Sequence, residues 1–289
     1  MKKSLLKFAL LLGLLFGQNG TEVYLFDLVS KDGIFSIENP LNISNNPGYD
    51  NQPSFMKNGR SVLFASTRND QTDIVSYNIR TGKSTWLTDS EGSEYSPVQI
   101  GSSNSFSAIR LDKDGTQLLY KYSMYSNKGR VLIPELKVGY HGWVDRNQIL
   151  AFVLGEPSTL QLFSLKSGNS QILDKKIGRS IHKIPQTYLM SYVSKKTELW
   201  TINSLDTETG VTDIIVPTRK GSEDLVWAPS GIIFMGAGNI LYQFDPKYNS
   251  DWIALTDITV FGLSGITRLA VSPKEDKIVI VVAEKSASQ

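Results

Sequence analysis

Short apolar runs recur along the chain at near-constant spacing, divided by Gly-, Asn- and Asp-containing turns, and no segment carries the 3.6-residue period of a substantial amphipathic helix. Six runs resemble one another: Thr21–Asp27, Thr72–Asn78, Thr116–Tyr122, Ser158–Ser164, Thr197–Asn203 and Asn239–Asp245. Their starts lie 51, 44, 42, 39 and 42 residues apart, and an interval of about 40–45 is the length of one four-stranded propeller blade. Each is followed by a hairpin-type turn, at Ser30–Gly33, Arg80–Gly82, Asn127–Gly129, Lys166–Gly168, Glu208–Gly210 and Pro246–Asn249, where Gly or Asn accepts the positive φ of a tight reversal. Another β-branched and aromatic run precedes or pairs with each, including Ser61–Ser66, Ser105–Ile109, Gln148–Val153, Tyr188–Val193, Gly231–Met235 and Lys277–Val282.

The two ends hold half-units. Ile266–Glu284 supplies the first two strands of a blade and Thr21–Ser44 the last two, so together they complete one sheet and close a ring without a long free edge. The pattern therefore predicts an all-β, six-bladed β-propeller over residues 21–289, with one blade made from both termini.

Residues 1–20 fit a secretory signal peptide: Lys2, Lys3 and Lys7 precede the apolar stretch Phe8–Phe16, and Gly17 and Gly20 offer small residues for cleavage. Leu5–Gly17 is well short of the roughly 20 apolar residues needed to span a bilayer. A periplasmic or secreted location follows as an expectation, with a mature chain lacking a membrane span.

The 289-residue chain has a formal charge of +2, and removing the three leader lysines leaves about −1, so a nucleic-acid partner held by a general basic field is not expected. There is no cysteine, which removes disulfides, thiolate metal sites, a cysteine nucleophile and an N-terminal lipid anchor. The two histidines, His141 and His182, cannot build a three-histidine zinc site.

The best-formed repeat reads Gln52-Pro-Ser-Phe-Met-Lys-Asn-Gly59, then Val62-Leu-Phe-Ala-Ser-Thr-Arg68, Asp73-Ile74 and Asn78. Trp227-Ala-Pro-Ser-Gly231 and Val271-Ser-Pro-Lys274 keep parts of the same turn, Arg110 is the counterpart of Arg68, and Tyr95-Ser-Pro97 echoes the region of Pro53. This resembles the repeat of TolB-like propellers, which are WD-repeat-like modules of exported bacterial proteins. The full-length protein for which that family is named carries an α/β domain ahead of its propeller, whereas here the propeller begins directly after the leader. The resemblance implies the propeller fold, an exported location and protein binding without catalysis; a monomeric interaction module of the cell envelope, with a protein or peptidoglycan-associated partner, is the functional expectation.

Local motifs for catalysis are weak. Gly178-Arg-Ser-Ile-His182 departs from a nucleophile elbow and reads as a turn entering a strand. Asp112-Lys-Asp-Gly115 opens like a calcium loop but has Ser123 at the twelfth position, and reads as a hairpin turn. No cofactor is indicated; calcium in the axial channel is compatible with a six-bladed ring, although no residue set is singled out for it. His141 reads as a packed histidine. Trp86, Trp200, Trp227 and Trp252 read as wedges between blades, with Trp143 set apart as a contact candidate.

Alternating strand direction places the blade-to-blade connections and the loops between second and third strands on one face. That face is expected to collect Tyr49, Asp50, Arg68, Asp70, Glu94, Tyr95, Arg110, Asp112, His141, Trp143, His182 and Glu223, a mixture of charge and aromatics suited to a protein contact. The alternative from another class is a small-molecule or glycan-processing propeller enzyme, a lactone or sugar hydrolase or a lyase, with its site at the channel mouth.

Overall fold

The β-branched and aromatic runs form strands, which the computed structural model, describing residues 20–284, arranges as six four-stranded antiparallel sheets. The chain begins with β1 (Thr21–Lys31) and β2 (Ile34–Asn42). One blade follows as β3 (Asp50–Phe55), β4 (Ser61–Arg68), β5 (Gln71–Asn78) and β6 (Lys83–Trp86), and the next as β7 (Ser93–Gln99), β8 (Ser105–Leu111), β9 (Gln117–Ser123) and β10 (Ser126–Ile133). Then come β11 (Val138–Trp143), β12 (Gln148–Val153), β13 (Thr159–Ser164) and β14 (Ser170–Lys175), followed by β15 (Ile177–Lys183), β16 (Met190–Ser194), β17 (Thr201–Leu205) and β18 (Thr212–Pro217). The last complete blade is β19 (Leu225–Trp227), β20 (Ile233–Ala237), β21 (Ile240–Phe244) and β22 (Ile253–Asp257), after which β23 (Arg268–Val271) and β24 (Lys277–Ala283) return to the start of the chain.

The terminal half-units join as expected. Their sheet has the order β2-β1-β24-β23, with Val23 opposite Val281 and Leu25 opposite Val279. Both faces of this sheet are covered, which explains why β24 is apolar at consecutive positions rather than alternating. Val23, Leu25, Val279 and Val281 pack on Val62, Phe64 and Val75 of the following blade. Phe26, Ile278, Ile280 and Val282 face the other way, onto Phe234, Leu241 and Ile266. At about 1.5–3 kcal/mol for each fully buried aliphatic side chain, this interlock is a large share of the driving force for closure. Lys277 also pairs with Asp27 across β1 and β24, and that hydrogen bond holds the Asp27 carboxyl below its usual range. Outermost strands read differently: all four residues of β6 are exposed.

Two local expectations shift. The turn assigned to Asn127–Gly129 lies three residues earlier, at Met124-Tyr125, so that Ser126 pairs with Ser123 and Gly129 sits within β10. Gly129 is required there by close approach, because a Cβ would stand 2.7 Å from the Tyr122 ring. Thr197–Trp200, read as the start of a strand, is an irregular connection, and β17 begins at Thr201. Asp112–Gly115 is the turn expected, closed by the Gly115 N–H on the Asp112 carbonyl at 2.9 Å. Among the described residues the sole helix is a 3-10 turn, Ile258–Phe261, and no helix is long and apolar enough to cross a membrane.

Val281 is fully buried at the seam whereas Val260 is 72% exposed. Val281→Asp should therefore lower the urea unfolding midpoint severely, while Val260→Asp should change stability by no more than about 0.5 kcal/mol. Equal midpoints for the two variants would contradict closure at this seam.

Candidate functional site

The innermost strand of each sheet, β3, β7, β11, β15, β19 and β23, faces the ring axis, and together they enclose a cavity of about 1100 Å³. Its deep end is a polar belt. The Arg179 guanidinium binds Asp224 through two hydrogen bonds, Nε to Oδ1 at 2.9 Å and Nη2 to Oδ2 at 2.5 Å. Arg268 donates to the same carboxylate at 2.6 Å and to the Tyr140 hydroxyl at 3.1 Å. On the opposite wall, the Ser96 N–H donates to Gln52 Oε1 at 2.8 Å. Gln52, Ser96, Tyr140, Asp224 and Arg268 hold equivalent places, each three residues before Phe55, Gln99, Trp143, Trp227 or Val271 at the end of its inner strand or strand lead-in. Gln52 and Ser96 adopt positive φ, 57° and 52°, within bulges of β3 and β7.

Tyr49 and Tyr95 lie behind the belt, ring to ring at 6.3 Å, and are absent from the cavity lining. Burial, with nearby Tyr140, raises the Tyr49 phenol well above its usual range. Glu223 lies on the same side, joined to Lys195 at 2.8 Å and to Arg179 at 3.6 Å. The cavity is thus a cup, bounded at its deep end by the belt and open where each inner strand turns into its second strand, at Lys57, Asp145, Arg146 and Pro185. Six basic residues line it, Lys57, Lys121, Arg146, Arg179, Lys183 and Arg268, against two acidic ones, Asp145 and Asp224.

The set expected on one face divides three ways. Tyr49, Arg68, Asp70, Tyr95, Arg110, Asp112 and Glu223 do lie toward the blade-to-blade connections. Trp143 and His182 fall near the C-terminal ends of β11 and β15, toward the cup mouth at the opposite end. Asp50, Glu94 and His141 belong to that set by sequence but are buried. Side chains this close to the axis are flanked by neighbouring blades, which a loop assignment from sequence does not register. The belt residues Arg179, Asp224 and Arg268 escaped the sequence reading; their signal was the 44-residue separation shared by Gln52–Ser96 and Asp224–Arg268.

His141 is the packed histidine expected. Its Nε2 is 2.6 Å from Ser107 Oγ, which also accepts the Trp143 indole N–H at 2.9 Å, and Nδ1 has no partner. Burial pushes its pKa down to about 3 and that of His182 to about 4, so both are neutral imidazoles. The analogous indole, Trp227, donates to Ser191 at 2.8 Å. Trp227 and Trp252 are the buried wedges expected, but Trp86 is 36% exposed and stacks under the Arg68 guanidinium at 4.0 Å. The cause is its place on an outermost strand, where no further blade covers it. Ser180, of the Ser-x-His spacing, lies in β15 and accepts the Leu225 N–H at 3.3 Å, a structural contact. Among the described residues no group of three or more His, Asp or Glu side chains converges as a metal-holding set.

No family model matches the sequence, and no curated protein matches it. Solved structures do. A structure assigned to TolB from Agrobacterium tumefaciens superposes with a TM-score of 0.72 at 12% identity, covering 93% of this chain and 100% of the other. The fold is that of the TolB-like propellers. TolB from Acinetobacter baumannii matches with a TM-score of 0.56 at 12% identity over 92% of this chain, which spans 64% of that protein. An oligogalacturonate lyase from Vibrio parahaemolyticus matches with a TM-score of 0.54 at 12% identity, covering 94% of this chain and 100% of the other. TolB-like and lyase propellers thus share the ring geometry, and the distinction between binding and catalysis lies in the residues around the axis.

Asp50 and Glu94 sit near the connection-side ends of neighbouring inner strands, each with one carboxylate oxygen lacking a partner. Burial raises both to about 7, against the Ser66 and Asn46 contacts of Asp50 and the Ser90 and Tyr122 hydrogen bonds of Glu94. A carboxyl raised in the fold contributes stability that is complete below about pH 4 and is lost as pH rises through about 7. The unfolding midpoint should fall between about pH 5 and about pH 8, and the Asp50→Asn/Glu94→Gln double variant should fall less over the same interval. An identical pH dependence in both proteins would refute the assignment.

Proposed function

We propose that this TolB-like propeller is a non-catalytic, exported interaction module of the bacterial cell envelope, periplasmic or secreted, that binds a protein or peptidoglycan-associated partner. The observation carrying this reading is the cup. A rigid, closed ring presents a basic concavity of about 1100 Å³, somewhat larger than ordinary small-molecule pockets, with a mouth open to a partner's chain. The leader pattern of residues 1–20 supports export, although it lies outside the described residues apart from Gly20. The charged and aromatic connection side, with Arg68, Asp70, Arg110 and Glu223, is a second candidate contact surface of the same module.

The lyase reading retains one specific support, the shared ring geometry with an oligogalacturonate lyase. The two readings separate in a paired experiment. Tagged protein is cross-linked in native envelope preparations as wild type, as a Lys57→Glu/Lys183→Glu cup variant, and as an Arg68→Ala/Asp70→Ala connection-side variant. In parallel, the wild type is incubated with oligogalacturonates and watched for unsaturated uronide. The proposal expects a discrete partner lost in one variant, without uronide formation; turnover of the oligosaccharide, or capture identical in all three proteins, would overturn it.

A further inference from the structure

Taken as the binding surface of that module, a reading on which this inference rests, the cup has a chemistry more specific than the need for a partner. We infer that the cup receives the C-terminal end of an acidic peptide, whose terminal carboxylate reaches Arg179 and Arg268. Three observations converge on this. First, the Tyr140–Arg268–Asp224–Arg179 belt lies at the deep end of the cup, so the end of a chain entering from the mouth arrives at two guanidinium groups.

Second, the charge is unbalanced where it matters. Two guanidinium groups at the floor share the carboxylate of Asp224, and Glu223, 3.6 Å from Arg179, is itself shared with Lys195 at 2.8 Å, so three cations face two carboxylates there. Each guanidinium retains N–H donors beyond those bonds, in the planar arrangement that suits a further carboxylate. The remaining wall and mouth add Lys57, Lys121, Arg146 and Lys183 against Asp145 alone.

Third, all six inner strands are sheet edges. Along the axis they present rows of main-chain N–H and C=O groups that an extended peptide can match, at a repeat a sugar ring does not share.

The probe is a pool of N-terminally fluorescein-labelled hexapeptides composed of Asp, Glu, Leu and Phe, made both as free acids and as C-terminal amides. Fluorescence anisotropy should show saturable binding of the free acids, weakened about tenfold or more by amidation, since a hydrogen-bonded charged contact is lost. Arg268→Gln should weaken the free acid and remove most of its advantage over the amide. Lys57→Glu/Lys183→Glu, at the exposed mouth and outside the belt, should weaken acid and amide alike, with unfolding midpoints checking that both variants are folded.

Absence of binding, equal affinity for acid and amide, or binding indifferent to both variants overturns the inference. If the peptides fail while envelope capture is still lost in the Lys57→Glu/Lys183→Glu protein, the interaction module stands and the C-terminal carboxylate falls. If galacturonate oligomers bind the cup and are cleaved, the module reading falls with it.

Discussion

The antiparallel pairing of β1 with β24 is the constraint on which the rest of the molecule depends. A ring of sheets is stable only when its last interface is as well packed as the others, and here that interface is made by strands 250 or more residues apart along much of its length, as in the Asp27–Lys277 pair. Because both faces of this sheet are covered by neighbours, its strands carry apolar residues at successive positions. Backbone bonds extend the clasp to the chain ends: the Thr21 N–H donates to the Gly48 carbonyl and the Glu284 N–H to that of Gly20, both at 2.8 Å. Separating the ends would expose two strand edges and two apolar faces at once.

Closure also creates the site. Once the inner edges are fixed around an axis, residues from β11, β15, β23 and the lead-in to β19 are brought within hydrogen-bonding distance across the channel. The Arg268–Tyr140 contact joins residues 128 apart in sequence. A partly buried carboxylate held by two guanidinium groups has most of its desolvation cost offset by charge-assisted hydrogen bonds, which favours a fixed arrangement over a mobile one. The belt therefore acts as a floor, and the cup above it remains open because Gly142, Pro97 and Ala270 place little bulk along the wall.

The same geometry explains the division between the two ends of the ring. The connection side is lined by ion pairs such as Arg110–Asp112 at 2.6 Å and Arg68–Asp73 at 3.5 Å, so its charges are largely engaged with one another. At the cup mouth, basic side chains outnumber acidic ones. A near-neutral chain thus carries a local positive field in a concave, partly apolar setting, where field lines concentrate and an anionic group is favoured.

Alternation, turn residues and spacing determined the strand inventory, the number of blades and the mixed origin of the closing sheet, because these follow from local backbone preference and from periodic burial, both written residue by residue. Misplacements such as Asn127–Gly129 arose where close packing rather than turn chemistry requires glycine. Which side chains share a site was decided only by the tertiary structure. Asp50 and Glu94 read as surface groups and are buried, while Arg179, Asp224 and Arg268 carried no motif and meet at the axis. Such contacts depend on how far each blade is rotated about the ring, a quantity set by the summed packing of all the wedges and encoded at no single position.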